Sequence, residues 1–127
     1  MTTHDQLVAY IEEKSIGLNA DYFYSLASDY RIDPGFALAT WILETGWGKS
    51  SAWLNNNNPA GITCSTGYCT YSSKEEGLIA MFDLLQSYTE GSISYIGQRT
   101  TPQTIRAVWS EAEDTSKVVG LWRAIYD

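Results

Sequence analysis

The sequence predicts an α+β fold, predominantly helical, with one small β-hairpin between two helical halves. Three observations carry this. Apolar residues recur at helical spacing in several separate stretches. One central stretch, residues 55–73, breaks that pattern and is rich in Asn, Gly, Ser and Thr. With 127 residues, 44% of them hydrophobic, the chain is long enough for one core and too short for several. Residues 1–127 are therefore read as a single domain, with the hairpin lobe at about 59–72.

The elements follow in order. "THDQLVAYIEEKS" places Leu7, Val8 and Ile11 on one side, and Gly17 is expected to end the helix. "NADYFYSLASDY" has Asn19 as cap and Tyr22, Phe23 and Leu26 on one face. In "DPGFALATWILETG" Asp33 caps, Pro34 takes the first helical position, where its missing N–H costs nothing, and Gly46 stops the helix. The pieces "AGITC" and "YCTYS" flank "STG" as a hairpin. "SSKEEGLIAMFDLLQSY" opens with a capping box, Ser72 with Glu75 or Ser73 with Glu76, and turns Leu78, Met81, Phe82, Leu85 and Tyr88 inward. Thr101 and Pro102 start a further helix with Ile105, Val108 and Trp109 inward. A last helix, 116–126, carries Val118, Val119, Leu121, Trp122 and Ile125.

Composition excludes several function classes. A net charge of −7 repels phosphate backbones, so nucleic acid is not expected as a partner. No apolar run reaches membrane-spanning length, so no membrane insertion is expected. "MTTHDQLVAY" has neither a basic start nor a hydrophobic stretch, so no signal peptide is expected in this chain. A cytoplasmic protein, another route of export, or a piece trimmed from a longer parent all fit. The lone His4 and the single "CSTGYC" pair give no metal site and no Cys–His or Ser–His nucleophile. Cys64 and Cys69 fit either a disulfide across a tight turn or two reduced thiols, the disulfide suiting an extracellular setting. No cofactor is expected, and a monomer is.

The stretch "ETGWG" poses the functional question. Glu44 ends a helix that is apolar nearly all round and therefore central. Burial disfavours its charged form, and so does the negative end of the helix dipole. The residues thus predict a glutamate held protonated, as a general acid in glycosidic cleavage requires. A surface glutamate paired with Lys49, beside a plain glycine stop, is the alternative that this stretch alone leaves open.

Three motifs in order weigh against that alternative. "ETGWGKS" (44–50) is followed by Asn58 with Gly61 and Ile62, then by Tyr71–Ser73 opening a helix. Together they resemble the glucosaminidase family of peptidoglycan hydrolases, glycoside hydrolase family 73, bacterial and phage enzymes of lysozyme-like fold. The resemblance covers roughly residues 30–95. It implies that Glu44 is the catalytic acid and that the β-1,4 bond after N-acetylglucosamine in peptidoglycan glycan strands is cut. It implies that Asn58 and Gly61 shape the cleft floor. Tyr71 is a candidate groove residue with its hydroxyl near the acetamido group, or equally a hairpin tyrosine packed over the lobe. Asn58 serves equally well as a turn former bonding its own backbone. Trp47 and Trp109 are candidate sugar-stacking platforms, although tryptophans at such positions more often fill cores.

The chain departs from the family in three ways. Pro59 and Ala60 stand where Leu-Phe is common, the linker from Glu44 to Asn58 is short, and residues 55–73 contain no Asp or Glu. The second carboxylate must then come from Glu75, Glu76 or Asp83, if one is used at all. Without one, the substrate's acetamido group or its muramic 6-hydroxyl attacks. The latter makes the chain a lytic transglycosylase; a muramidase is the other enzymatic alternative on this fold. A catalytically inactive wall-binding or structural module of a phage or secretion machine is the alternative outside enzymology. Action at the bacterial cell wall is expected, as an autolysin or endolysin, with an adjoining wall-binding domain in a longer parent to offset the unhelpful negative charge.

Overall fold

The computed structural model describes residues 3–89 and 115–126. Its elements are α1 (Thr3–Glu13), α2 (Ala20–Tyr30), α3 (Pro34–Thr45), α4 (Ser51–Asn56), β1 (Thr63–Cys64), β2 (Gly67–Tyr68), α5 (Lys74–Thr89) and α6 (Thr115–Tyr126). The expected α+β class, helix-dominated with a two-stranded hairpin, is what forms. The helix expected from Thr101 and Pro102, with Trp109, lies outside the described residues.

α3 is the axis of the fold. Gly35 through Ile42 and Thr45 are all buried, as a helix apolar on every side must be. The Asp33 carboxylate accepts from the Phe36 N–H at 2.9 Å, and Gly46 closes the helix in the left-handed region at φ 56°. Asp33 does more than cap. The same oxygen accepts from Trp122 Nε1 at 2.9 Å and from the Tyr126 hydroxyl at 3.0 Å, which ties α6 across the start of α3. Gly35 makes this possible, because a Cβ there would meet Tyr126 and Trp122 ring carbons at 2.6–2.8 Å. Burial and the Asp33 charge push the Tyr126 phenol strongly up.

α1 and α2 pack on each other, and α5 lies on α2. Leu7, Phe23, Leu38, Met81, Phe82 and Leu85, from four helices, have no exposed surface. α1 ends at Glu13, earlier than Gly17 suggests. Ser15 turns left-handed at φ 52° and Ile16 N–H bonds back to Ile11 C=O, which lets Ile16 and Leu18 fold onto the core. Tyr30 donates to Asp83 at 2.6 Å, joining the end of α2 to α5, and burial with that carboxylate pushes the Tyr30 phenol up to about 12.

One cross-link is pH-dependent. His4 Nε2 lies 2.7 Å from Asp21 Oδ1 across α1 and α2, and Nδ1 is 3.7 Å from Asp5. Tyr24 packs edge-on against the ring. The hydrogen bond to Asp21 is the main cause that raises the imidazole above its ordinary 6.5. A raised folded value stabilises the protein fully below 6.5, and that contribution is lost as pH rises through the folded value. His4→Ala should therefore lower the melting temperature at pH 5.5 and leave it nearly unchanged at pH 8.5. Thermal scans at the two pH values check this.

Candidate active site

The answer to "ETGWG" begins with its turn. Thr45 is completely buried. Its hydroxyl donates to Trp41 C=O at 2.6 Å and accepts from Gly48 N–H at 2.9 Å. Its carbonyl accepts from the N–H groups of Lys49 and Ser50, both at 2.8 Å. Gly46, Trp47 and Gly48 follow in the left-handed region, at φ 56°, 62° and 80°. The glycines adopt this freely, whereas Trp47 is held there at a cost of order 1 kcal/mol. Gly48 also lies against Trp41, whose ring would be 3.0 Å from a Cβ at that position. Ser50 then caps α4 by accepting from Trp53 N–H at 3.2 Å. The motif is thus a sharp reversal fastened by one buried threonine.

Glu44 rides on this reversal. It belongs to the last turn of α3, where the buried helix emerges: Ile42 is buried, and Leu43 and Glu44 are half-buried. The carboxylate is therefore partly wet rather than sealed. Trp47, three residues on, is 41% exposed and stacks on Tyr10 at 6.5 Å between ring centres. Tryptophan at this position is not core, contrary to the usual habit of such residues. The left-handed turn carries the ring outward, where it forms an aromatic surface close in sequence to Glu44.

The hairpin lobe is built differently from the sequence expectation. Only two residue pairs form the ladder, Thr63 with Tyr68 and Cys64 with Gly67. What holds the lobe is the asparagine run at the end of α4, a helix too short for its periodicity to be read. Asn56 donates to Thr70 Oγ1 at 2.7 Å and Asn57 to Tyr71 C=O at 2.8 Å. Asn58 donates to Ile62 C=O at 2.8 Å and Cys69 C=O at 3.0 Å, and accepts from Ile62 N–H at 3.1 Å. It is 1% exposed. Asn58 therefore sets the shape of the lobe and presents no surface to a sugar. Gly61 is exposed at φ 66°, with nothing closer than 4.0 Å to where a Cβ would be, so its backbone is open to close approach. Tyr71 is half-buried, its N–H bonded to Asn56 C=O at 2.9 Å, and burial pushes its phenol up.

Cys64 and Cys69 form a disulfide in the structure. It closes the turn next to the Asn58 anchor. Closing so short a loop is worth about 2 kcal/mol on the chain-entropy scale. The double variant Cys64→Ser, Cys69→Ser should lose about that much stability in a denaturant titration.

The remaining carboxylates separate into distinct tasks. Ser73 accepts from Glu76 N–H at 3.1 Å, and Ser72 donates its hydroxyl to the Glu76 carboxylate. This is the capping arrangement shared between two serines, and it occupies Glu76. Glu75 is exposed and faces Tyr22 across a cavity at the start of α5. Asp83 is taken by Tyr30. Among the described residues no group of His, Cys, Asp and Glu could hold a metal ion. No described helix is long and apolar enough to cross a membrane.

A central buried helix ending in a half-exposed glutamate, in a mostly helical protein with one small two-stranded sheet, is consistent with the lysozyme-like α+β kind. The family model Glucosaminidase, described as mannosyl-glycoprotein endo-beta-N-acetylglucosaminidase, matches residues 20–120, and the chain belongs to that family. No significant match was found among curated proteins or among solved structures. Membership supports a glucosaminidase-like, peptidoglycan-hydrolysing function and places the chain among glycoside hydrolases.

Proposed function

We propose that this domain cleaves the β-1,4 bond after N-acetylglucosamine in peptidoglycan glycan strands, with Glu44 as general acid. The observation that carries the reading is the family match across residues 20–120, which contains Glu44 within "ETGWGKS". The geometry supports it. Thr45 fixes the backbone beside Glu44, so the carboxyl is presented from a rigid helix end rather than from a loose loop. In the bond-breaking step Glu44 gives its proton to the glycosidic oxygen as the C1–O bond breaks. Water then adds to C1 and gives its proton to the Glu44 carboxylate left by the first step, which restores the acid. The exposed Trp47 ring, backed by the buried Tyr10, offers a hydrophobic face for a pyranose ring, and the open Gly61 backbone offers a place for the chain to lie close.

Residues 55–73 hold no Asp or Glu, so the lobe supplies no base. That favours participation of the substrate itself, through its acetamido oxygen, and keeps a second reading open: attack by the muramic 6-hydroxyl, as in a lytic transglycosylase. With a net charge of −7, the domain gains nothing from steering toward anionic wall polymers. A wall-binding neighbour or a delivery device would supply the missing local concentration. Incubation with purified peptidoglycan tests the activity: release of new glycan ends is expected, and a preparation that folds, binds the wall and releases none would overturn it in favour of a binding module.

A further inference from the structure

We propose that the cavity between the α1–α2 loop and the first turn of α5 binds a short zwitterionic peptide, its terminal carboxylate against Lys74 and its terminal ammonium against Glu75. The cavity measures about 250 Å³ and is lined by Leu18, Tyr22, Trp53, Lys74, Glu75 and Leu78 among others. That is below the ~300–1,000 Å³ of sites for drug-sized ligands and suits a group the size of a small dipeptide.

The two charges reach the cavity separately. Among the described residues Lys74 and Glu75 make no ion pair with each other, and both line the same space. Lys74 is held in place: its ammonium donates to Trp53 C=O and lies 4.5 Å from the centre of the Trp53 ring. An ammonium has three N–H donors, so two remain for a ligand. Burial pulls the Lys74 ammonium down, which an arriving carboxylate would offset. Glu75 stands close enough to Tyr22 for its charge to help push that phenol up. A neutral sugar fits these walls poorly. The Trp53 face that would stack on a pyranose is covered by Lys74, and a sugar brings no charge to answer either group. Leu18 and Leu78 add an apolar wall for a small side chain. The peptides attached to a wall glycan carry free carboxylate and amine groups of this kind. That last identification rests on the proposed function, whereas the charge preference of the cavity does not.

The test is a two-dimensional NMR titration of the protein with alanylalanine, its N-acetylated form, its C-amidated form, and the doubly blocked dipeptide. The free dipeptide should give saturable shifts at the amides of Leu18, Tyr22, Glu75 and Leu78. Blocking either end should weaken binding about tenfold, the loss of one charge-assisted contact. Glu75→Gln, at an exposed position, should erase the preference for the free amine and keep that for the free carboxylate. Absence of saturable shifts, equal binding of the doubly blocked dipeptide, or an unchanged amine preference in Glu75→Gln would overturn the proposal. Dipeptide binding by a protein that cuts no glycan would overturn the proposed activity and leave the cavity assignment standing.

Discussion

Glu44→Gln is expected to lower the release of glycan ends from purified peptidoglycan by at least ~10²-fold, the lower range for loss of a positioned general acid. Glutamine matches glutamate in shape and in acceptor geometry but has no proton to give. The backbone hydrogen bonds of the turn are made by Thr45, Gly48, Lys49 and Ser50, so the variant should fold as the wild type does. Circular dichroism and a melting curve establish that point before the rates are compared. An undiminished rate would remove Glu44 from the chemistry, whatever the family pattern suggests. A reduced rate with unchanged wall binding would exclude the inactive-module reading.

The second large effect concerns stability. Gly77 lies in α5 where that helix crosses the turn after α4. A Cβ there would sit well inside contact distance of the Asn57 carbonyl oxygen, 3.0 Å from its carbon and 3.2 Å from Pro59 Cδ. These are backbone and ring atoms with nowhere to go. In an open helix Gly→Ala stabilises by roughly 1 kcal/mol; here overpacking should reverse the sign and cost about 1–3 kcal/mol or more. Asn57 and Asn58 anchor the hairpin, so the disturbance should reach the lobe. Gly120→Ala provides the contrast, because nothing lies within 4 Å of the site on α6. Thermal unfolding should rank the three proteins Gly120→Ala, wild type, Gly77→Ala. Equal stability of the two variants would contradict the packing described at α5.

Helices with a strong apolar face were legible because burial and periodicity say the same thing. α3 could be read as central from "FALATWIL" alone, and its cap, its first-turn proline and its glycine stop lie where those residue types belong. The cap Asn19 was equally plain, whereas Ser73 was one of two serines that fitted the capping-box spacing. α4 was not, because six residues hold too little periodicity to detect. The hairpin was visible as turn chemistry, but its weak ladder and asparagine stitching were not. Hydrogen bonds from a side chain to a backbone several residues away leave no spacing rule behind. The same limit hid the second role of Asp33, whose partners Trp122 and Tyr126 lie far along the chain. At the site, residue type pointed to Glu44, and the outward turn of Trp47 came only from three successive positive φ angles. Thr45 was readable in hindsight: a hydroxyl between a helix end and a glycine is a natural latch for a tight reversal.

Mass spectrometry of the glycan fragments released from purified peptidoglycan bears most directly on the central claim. The account predicts fragments ending in a free reducing N-acetylglucosamine, formed by the wild type and nearly absent with Glu44→Gln. Fragments ending in an anhydro-muramic or a reducing muramic residue, or the same yield from both proteins, would contradict it.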